Sequence, residues 1–123
     1  MKNLTYLIMG VLLATLALVF ATKTVMAQDP VKVAPEHYKV LLENDRVRVL
    51  EFRGKPGDKT AMHSHPGSAV IAITDGTFKF TSPDGQSIEA EFKTGQTIYH
   101  DAVEHTTEVM GTSEAHVVIV ELK

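Results

Sequence analysis

From Tyr38 to the end of the chain, apolar and polar residues alternate in short runs broken by turn formers at close intervals. This is the signature of an all-β sandwich or barrel. Val47 to Phe52 predicts a strand closed by the turn-rich Gly54-Lys55-Pro56-Gly57-Asp58. Thr60 to His65 reads as extended and is halted by Pro66-Gly67, and Ala69 to Thr74 follows as a further strand. Asp75-Gly76 predicts a hairpin, after which Thr77 to Thr81 places Phe78 and Phe80 on one face. Pro83-Asp84-Gly85 predicts a second hairpin into Ser87 to Lys93, where Ile88, Ala90 and Phe92 alternate with Ser87, Glu89 and Glu91. One face of that strand is expected to be buried and the other wet. Thr97 to Tyr99, His105 to Met110 and Ala115 to Leu122 complete the set. No stretch holds a helical period. About eight short strands in so few residues suit a jelly roll.

The first 27 residues follow a different rule. Met1-Lys2-Asn3 is a short basic start, Leu4 to Ala21 is almost wholly apolar, and Val25-Met26-Ala27 sets small residues at the end of the run. That layout predicts a secretory signal peptide cleaved after Ala27, with an uncleaved membrane anchor as the alternative. Either way the remainder is expected outside the cytoplasm, periplasmic or secreted, or held at a membrane facing outward. Residues 28–38, with Pro30 and Pro35, read as an extended arm, and residues 39–123 as one barrel domain.

Composition narrows the partners. Without Lys2 and Lys23 the chain has ten Lys and Arg against fifteen Asp and Glu, a formal charge of −5. An acidic domain without basic clusters is a poor match for nucleic acid. The chain contains no cysteine, so stability must come from a packed core, from a bound metal or from a partner subunit. In the last strand Val117 and Ile119 lie opposite Val118 and Val120. A single barrel buries only one of these apolar faces well, so a homodimer is expected.

The candidate chemistry is imidazole. His63 and His65 are one residue apart in an extended segment and point to the same side. Two such rings can grip one ion, and His105 arrives two strands later. Ser64 faces away from both rings, which removes it as a nucleophile. His100, near His105 at a strand end, is a candidate fourth ligand, with water as the simpler occupant. Alternation groups Glu51 with Val47 and Val49. A regular strand would then turn Glu51 inward to orient an imidazole, and a bulge would turn it outward. His116 shares a face with Val118, Val120 and Leu122 and reads as a buried structural histidine or as a donor to the site. Tyr99 and Phe80 are candidates to line an apolar pocket beside the metal.

Gly57-Asp58-Lys59-Thr60-Ala61-Met62-His63-Ser64-His65, followed by Gly76, resembles the first motif of the cupin family, and Gly95 leading to His105 resembles the second. The resemblance covers Val47 to Leu122 and implies a cupin-type jelly-roll β-barrel with one divalent transition metal on His63, His65 and His105. Iron, manganese, nickel, copper and zinc all suit such a set. The first motif's glutamate falls at Ala69, with Ser68 and Val70 on either side, so the carboxylate is missing. The second motif's proline and further glycine read as Asp101 and Val103, and His105 comes one residue early. Cupins with three histidines and no glutamate include dioxygenases, so the resemblance implies oxidative chemistry on a small molecule, with His100, Asp101 and Glu104 as the nearby acid or base candidates. The alternatives are a non-catalytic metal- or ligand-binding module of the cell envelope and a metal-free structural barrel.

Overall fold

A computed structural model describes residues 28–123; the expected signal peptide or anchor lies outside the described residues. Among the described residues, nine strands follow one short helix. The helix, α1, is Pro30–Val33, and the strands are β1 Tyr38–Glu43, β2 Val47–Gly54, β3 His63–His65, β4 Ser68–Ala72, β5 Gly76–Thr81, β6 Ser87–Phe92, β7 Thr97–His100, β8 Val103–Met110 and β9 Ala115–Leu122. They form a five-stranded sheet in the order β1-β2-β9-β4-β7 and a four-stranded sheet in the order β3-β8-β5-β6. Every pairing is antiparallel. The all-β jelly-roll expectation is met.

The core lies between the two sheets. Leu50 and Phe52 from β2, Phe78 from β5, Phe92 from β6, Val109 from β8, and Val117 and Ile119 from β9 are buried there. Phe52 meets Phe78 edge-on at 6.1 Å, and Phe78 meets Phe92 at 5.7 Å, the offset geometry that ring quadrupoles favour. Burying a side chain of this size stabilises by about 1.5–3 kcal/mol. The β5–β6 hairpin forms as predicted, with Gly85 at φ +87°, a conformation that L side chains avoid.

Asp75-Gly76 is not a hairpin. β4 and β5 belong to different sheets, and Asp75 instead accepts hydrogen bonds from the Thr94 backbone and hydroxyl. The β6 face predicted to be buried is buried only at Phe92; Ile88 is 67% exposed, because it lies toward the free end of an edge strand.

The arm is also not simply extended. Asp29 caps α1 by accepting from the Val31 N–H, and Pro30 occupies the first turn, where its missing N–H costs nothing. Pro30 and Ala34 are buried, and the Ser64 N–H donates to the Gln28 carbonyl. The N-terminal segment is therefore sewn onto β3.

Strand β2 pairs with β9 without a break from Val47 to Gly54. The inward face is Arg48, Leu50 and Phe52, not Val47, Val49 and Glu51. The bulge sits in β1, between Val40 and Leu42. Glu51 therefore points outward, the orientation the second alternative gave, but from a regular strand and not through a bulge in β2. The same parity holds on β9, where Ala115, Val117, Ile119 and Glu121 are buried. His116 lies on the outer face with Val118 and Val120, and donates to Glu51 at 3.0 Å. It is neither a core histidine nor a donor to the site.

Candidate metal centre

Three of the four sequence-predicted histidines converge. β3 pairs with β8 so that His63 lies directly opposite His105, and strand alternation brings His65 to the same face. The ring centroids are 5.0 Å apart for His63–His65 and for His63–His105, and 5.5 Å for His65–His105. One nitrogen from each ring lies within 4.8 Å of the others. The donor set suits a borderline divalent ion: three imidazoles, each presenting a nitrogen to one point.

Neighbours fix which nitrogen each ring presents. The Nδ1–H of His63 donates to the Ala61 carbonyl at 2.8 Å, which leaves Nε2 facing the cluster. The Nδ1–H of His65 donates to Glu121 at 2.7 Å, again freeing Nε2. Such an outer hydrogen bond sets the tautomer and strengthens the ring as a ligand. Phe80 stacks on His105 at 4.9 Å and 23°. Burial holds His63 down to about 4 and His105 down to about 3. Both rings are therefore neutral near pH 7 and ready to ligate without losing a proton.

Glu121 is the functional residue that sequence reasoning missed. It is 2% exposed and accepts from both His65 and the Arg48 Nε, the latter at 2.8 Å. Burial alone would raise its carboxyl; the hydrogen bonds from His65 and Arg48 outweigh it and hold it low. Arg48 in turn makes a two-pronged contact to Asp29, at 2.9 and 3.1 Å. An unbroken chain thus runs from Asp29 through Arg48 and Glu121 to His65. Its one sequence signal is Glu121 itself, an acid at the end of the apolar face Ala115-Val117-Ile119. Tyr38 was missed as well. Its hydroxyl donates to His63 Nε2 at 3.1 Å, the lone pair a metal would take, so ligation by His63 would displace this bond; burial raises the Tyr38 ionisation well above the ordinary phenol value.

His100 stands apart from the triad. Its ring is 6.2 Å from that of His65, and its Nδ1–H donates to the Asp101 carbonyl at 2.7 Å. It faces the same chamber as the triad. Among the described residues, Asp101 and Glu104 do not line that chamber; Glu104 pairs with Ser64 on the side of β8 opposite His105. Phe80 lines the chamber as expected, but Tyr99 does not. Tyr99 is 60% exposed and packs over Gly67.

Ala69 also faces outward. It pairs with Val120 and Tyr99 on the outer side of the five-stranded sheet. The residue that faces the chamber is Val70, while Ser68 is buried and turned back onto the Pro66 carbonyl at 2.6 Å. The motif alignment that set the missing carboxylate at Ala69 is thus one residue out of phase with the strand.

The cupin domain family matches residues 50–121. A beta-alanine degradation protein, BauB, of Pseudomonas aeruginosa is 37% identical over 84 residues, which covers 67% of this chain and 85% of that protein. A cupin domain of Bordetella pertussis has a crystal structure that superposes with a TM-score of 0.64 at 30% identity, covering 70% of this chain and 91% of that one. The polyketide cyclase RemF of Streptomyces resistomycificus shares the fold at a TM-score of 0.51 and 20% identity, covering 69% and 63% of the two chains. This chain belongs to the cupin family.

Proposed function

We propose that this cupin is an exported, metal-dependent protein acting on a small molecule, with one divalent transition metal held by His63, His65 and His105. The observation that carries the reading is the convergence of three buried or half-buried imidazoles, within 4.8 Å of one another, beside an internal chamber. Such an ion would supply positive charge and open positions for the oxygens of a ligand, with dioxygenase-like oxidation as the reaction class. The chain's own residues set the conditions. Ala61 and Glu121 fix the ring tautomers, Phe80 fixes the plane of His105, and an aromatic wall lines the space beside them. His100 faces the ligand space, where a titratable imidazole can take or give a proton.

Quantifying metals on the protein from native-like expression tests this reading. About one ion per chain is expected, and replacing both His63 and His65 with alanine should abolish it and lower thermal stability, since a ligand bound only to the folded state stabilises it. Unchanged metal content in the double variant would overturn the reading. Oxygen uptake with phenols and enolisable diketones separates catalysis from plain binding. The binding-module reading has its own support: among the described residues, no carboxylate lines the chamber, and a tightly held metal without turnover would favour it.

Cleavage after Ala27 belongs to the same proposal, and the mass of the mature protein tests it. So does a homodimer formed through the outer face of the five-stranded sheet. There Leu42, Val49, Val120, Ala69 and Tyr99 form one register row across all five strands. Leu42 and Tyr99 are both more than half exposed. Sedimentation as a monomer at high concentration would exclude it.

A further inference from the structure

The chamber beside the triad has a volume of about 320 Å³, the space of roughly ten waters at about 30 Å³ each. Phe52, Phe78, Phe92, Val70 and Ile98 build much of its wall. Phe80 lies nearly parallel to Phe78 at 5.7 Å and to His105 at 4.9 Å, so three stacked rings in a row reach the triad.

Among the described residues, no Lys, Arg, Asp or Glu lines the chamber. Glu121 stands behind His65 and is already engaged by Arg48. Polar groups converge where His65, His105, Tyr38 and His100 line the chamber. Nearby, Thr107 Oγ1, beside the Tyr38 hydroxyl, is buried without a well-formed hydrogen bond. A ligand oxygen at that depth would find a partner. The other polar side chains of the lining, Ser82 and Gln86, are exposed; a charge lodged against the aromatic and aliphatic wall between them and the triad would find no partner, and an unpaired buried charge is strongly disfavoured.

We propose that the chamber takes a small, largely apolar molecule whose one ionisable oxygen lies at the triad, and that it rejects ligands that would set a second charge against the apolar wall. The proposal rests on the reading of the chamber as a small-molecule site. A phenol, an enol or a monocarboxylate with a neutral body fits this chemistry; a dicarboxylate or a zwitterionic amino acid does not.

The test is a matched pair, the ester monomethyl terephthalate and its parent acid terephthalate, which share one carboxylate for the triad and differ in charge only at the opposite end. Both are titrated by calorimetry into the zinc-loaded protein, zinc being redox-inert, so that binding is read without turnover. The ester should bind at least about tenfold more tightly, a difference of ~1.4 kcal/mol. In Ile98→Arg, shown to be folded, a cation in the wall should shrink or reverse the preference. Equal or tighter binding of the acid by the native protein, or no binding of either at millimolar concentration, would overturn the proposal. So would an unchanged preference in folded Ile98→Arg. Zinc content is measured separately. If the native protein takes up no zinc, the metal reading fails, and the same pair titrated into the metal-free chamber still decides the ligand class, because the apolar wall does not depend on the ion.

Discussion

Two histidine–glutamate pairs stand on opposite faces of strand β9, and their chemistry is almost the same. Outside, His116 donates to Glu51 at 3.0 Å; inside, His65 donates to Glu121 at 2.7 Å. The outer side chains are 14% and 23% exposed, the inner ones 2% and 3%. Water screens the outer pair and shares its hydrogen bonds, so its contribution is small. The inner pair has no such relief, and each partner depends on the other and on Arg48. Strand parity alone separates the two roles. Shifting β9 by one residue would exchange them.

The largest effect is therefore expected inside. Glu121→Ala removes the acceptor for His65 and for the Arg48 Nε, leaving Arg48 its contact to Asp29 alone; a buried donor left without its partner costs about 1–3 kcal/mol. The substitution also frees the His65 ring to turn, so metal affinity should fall by about 10–100-fold. Glu121→Gln keeps an acceptor for His65 but loses the charge facing Arg48, and should lie between the two. Denaturant unfolding and competitive metal titration measure both quantities. If Glu121→Ala is folded and binds metal as the native protein does, Glu121 does not position His65.

The inner pair also shows what could be read from the sequence and what could not. The strands, the jelly roll and the His63-His65-His105 triad were legible, because alternation and turn residues are local signals and His-x-His needs only one strand to converge. Which face of a strand is inside is a global property. For β2, the run Val47, Val49 and Glu51 and the run Arg48, Leu50 and Phe52 are comparably apolar, and only packing against the opposite sheet chooses between them. That choice turned Glu51 and His116 outward, moved the chamber-facing position from Ala69 to Val70, and hid Glu121 and Arg48. Tyr38 was out of reach for a similar reason: its link to His63 spans 25 residues and depends on how β1 lies over β3. Asp75-Gly76 misled because a turn signal says where the chain bends, not whether the flanking strands pair.

Proton linkage sharpens the contrast next. In the metal-free protein His63 sits at about 4 and His105 at about 3, against an ordinary 6.5, chiefly because burial disfavours the charged ring. Between pH 6.5 and about 4 the unfolded chain binds protons that the folded chain refuses, so stability falls as pH falls. Each ring contributes a slope of at most about 1.4 kcal/mol per pH unit. Unfolding measured from pH 7 to pH 4 should show this loss, and His63→Ala should flatten the slope by removing one of the two groups. A native slope unchanged by that substitution would remove His63 from the linkage. Burial is the largest single influence on Glu51 and raises it, but the hydrogen bonds and charges of His116 and Arg53 together outweigh it and hold the carboxyl low; it adds nothing to a loss that begins near pH 6.5.

Parity on β4 gives a third test. Val70→Glu should place a carboxylate in the chamber beside the triad and raise manganese affinity relative to zinc by about tenfold, since hard ions favour oxygen donors. Without metal the same variant should be less stable than the native protein, because its carboxylate is buried without a countercharge. Ala69→Glu faces outward beside Tyr99 and should leave the metal preference unchanged. Metal competition on both variants decides the register: a shift caused by Ala69→Glu and not by Val70→Glu would show that the strand presents the opposite face.

The smallest effect belongs to the outer pair. Glu51→Gln keeps an acceptor but removes the charge facing His116 and Arg53, each partly open to solvent. The loss should be no more than about 1 kcal/mol, and added salt should shrink the native pair's contribution further, because exposed charges are screened. Metal affinity should not change, as the whole thickness of the sheet separates Glu51 from the triad. The diagnostic quantity is the ratio between the two glutamates rather than either value alone. If Glu51→Gln weakened metal binding as much as Glu121→Gln, the inside and outside of β9 would be coupled through the strand, and side-chain parity would no longer account for why one histidine–glutamate pair serves the site and the other only decorates the surface.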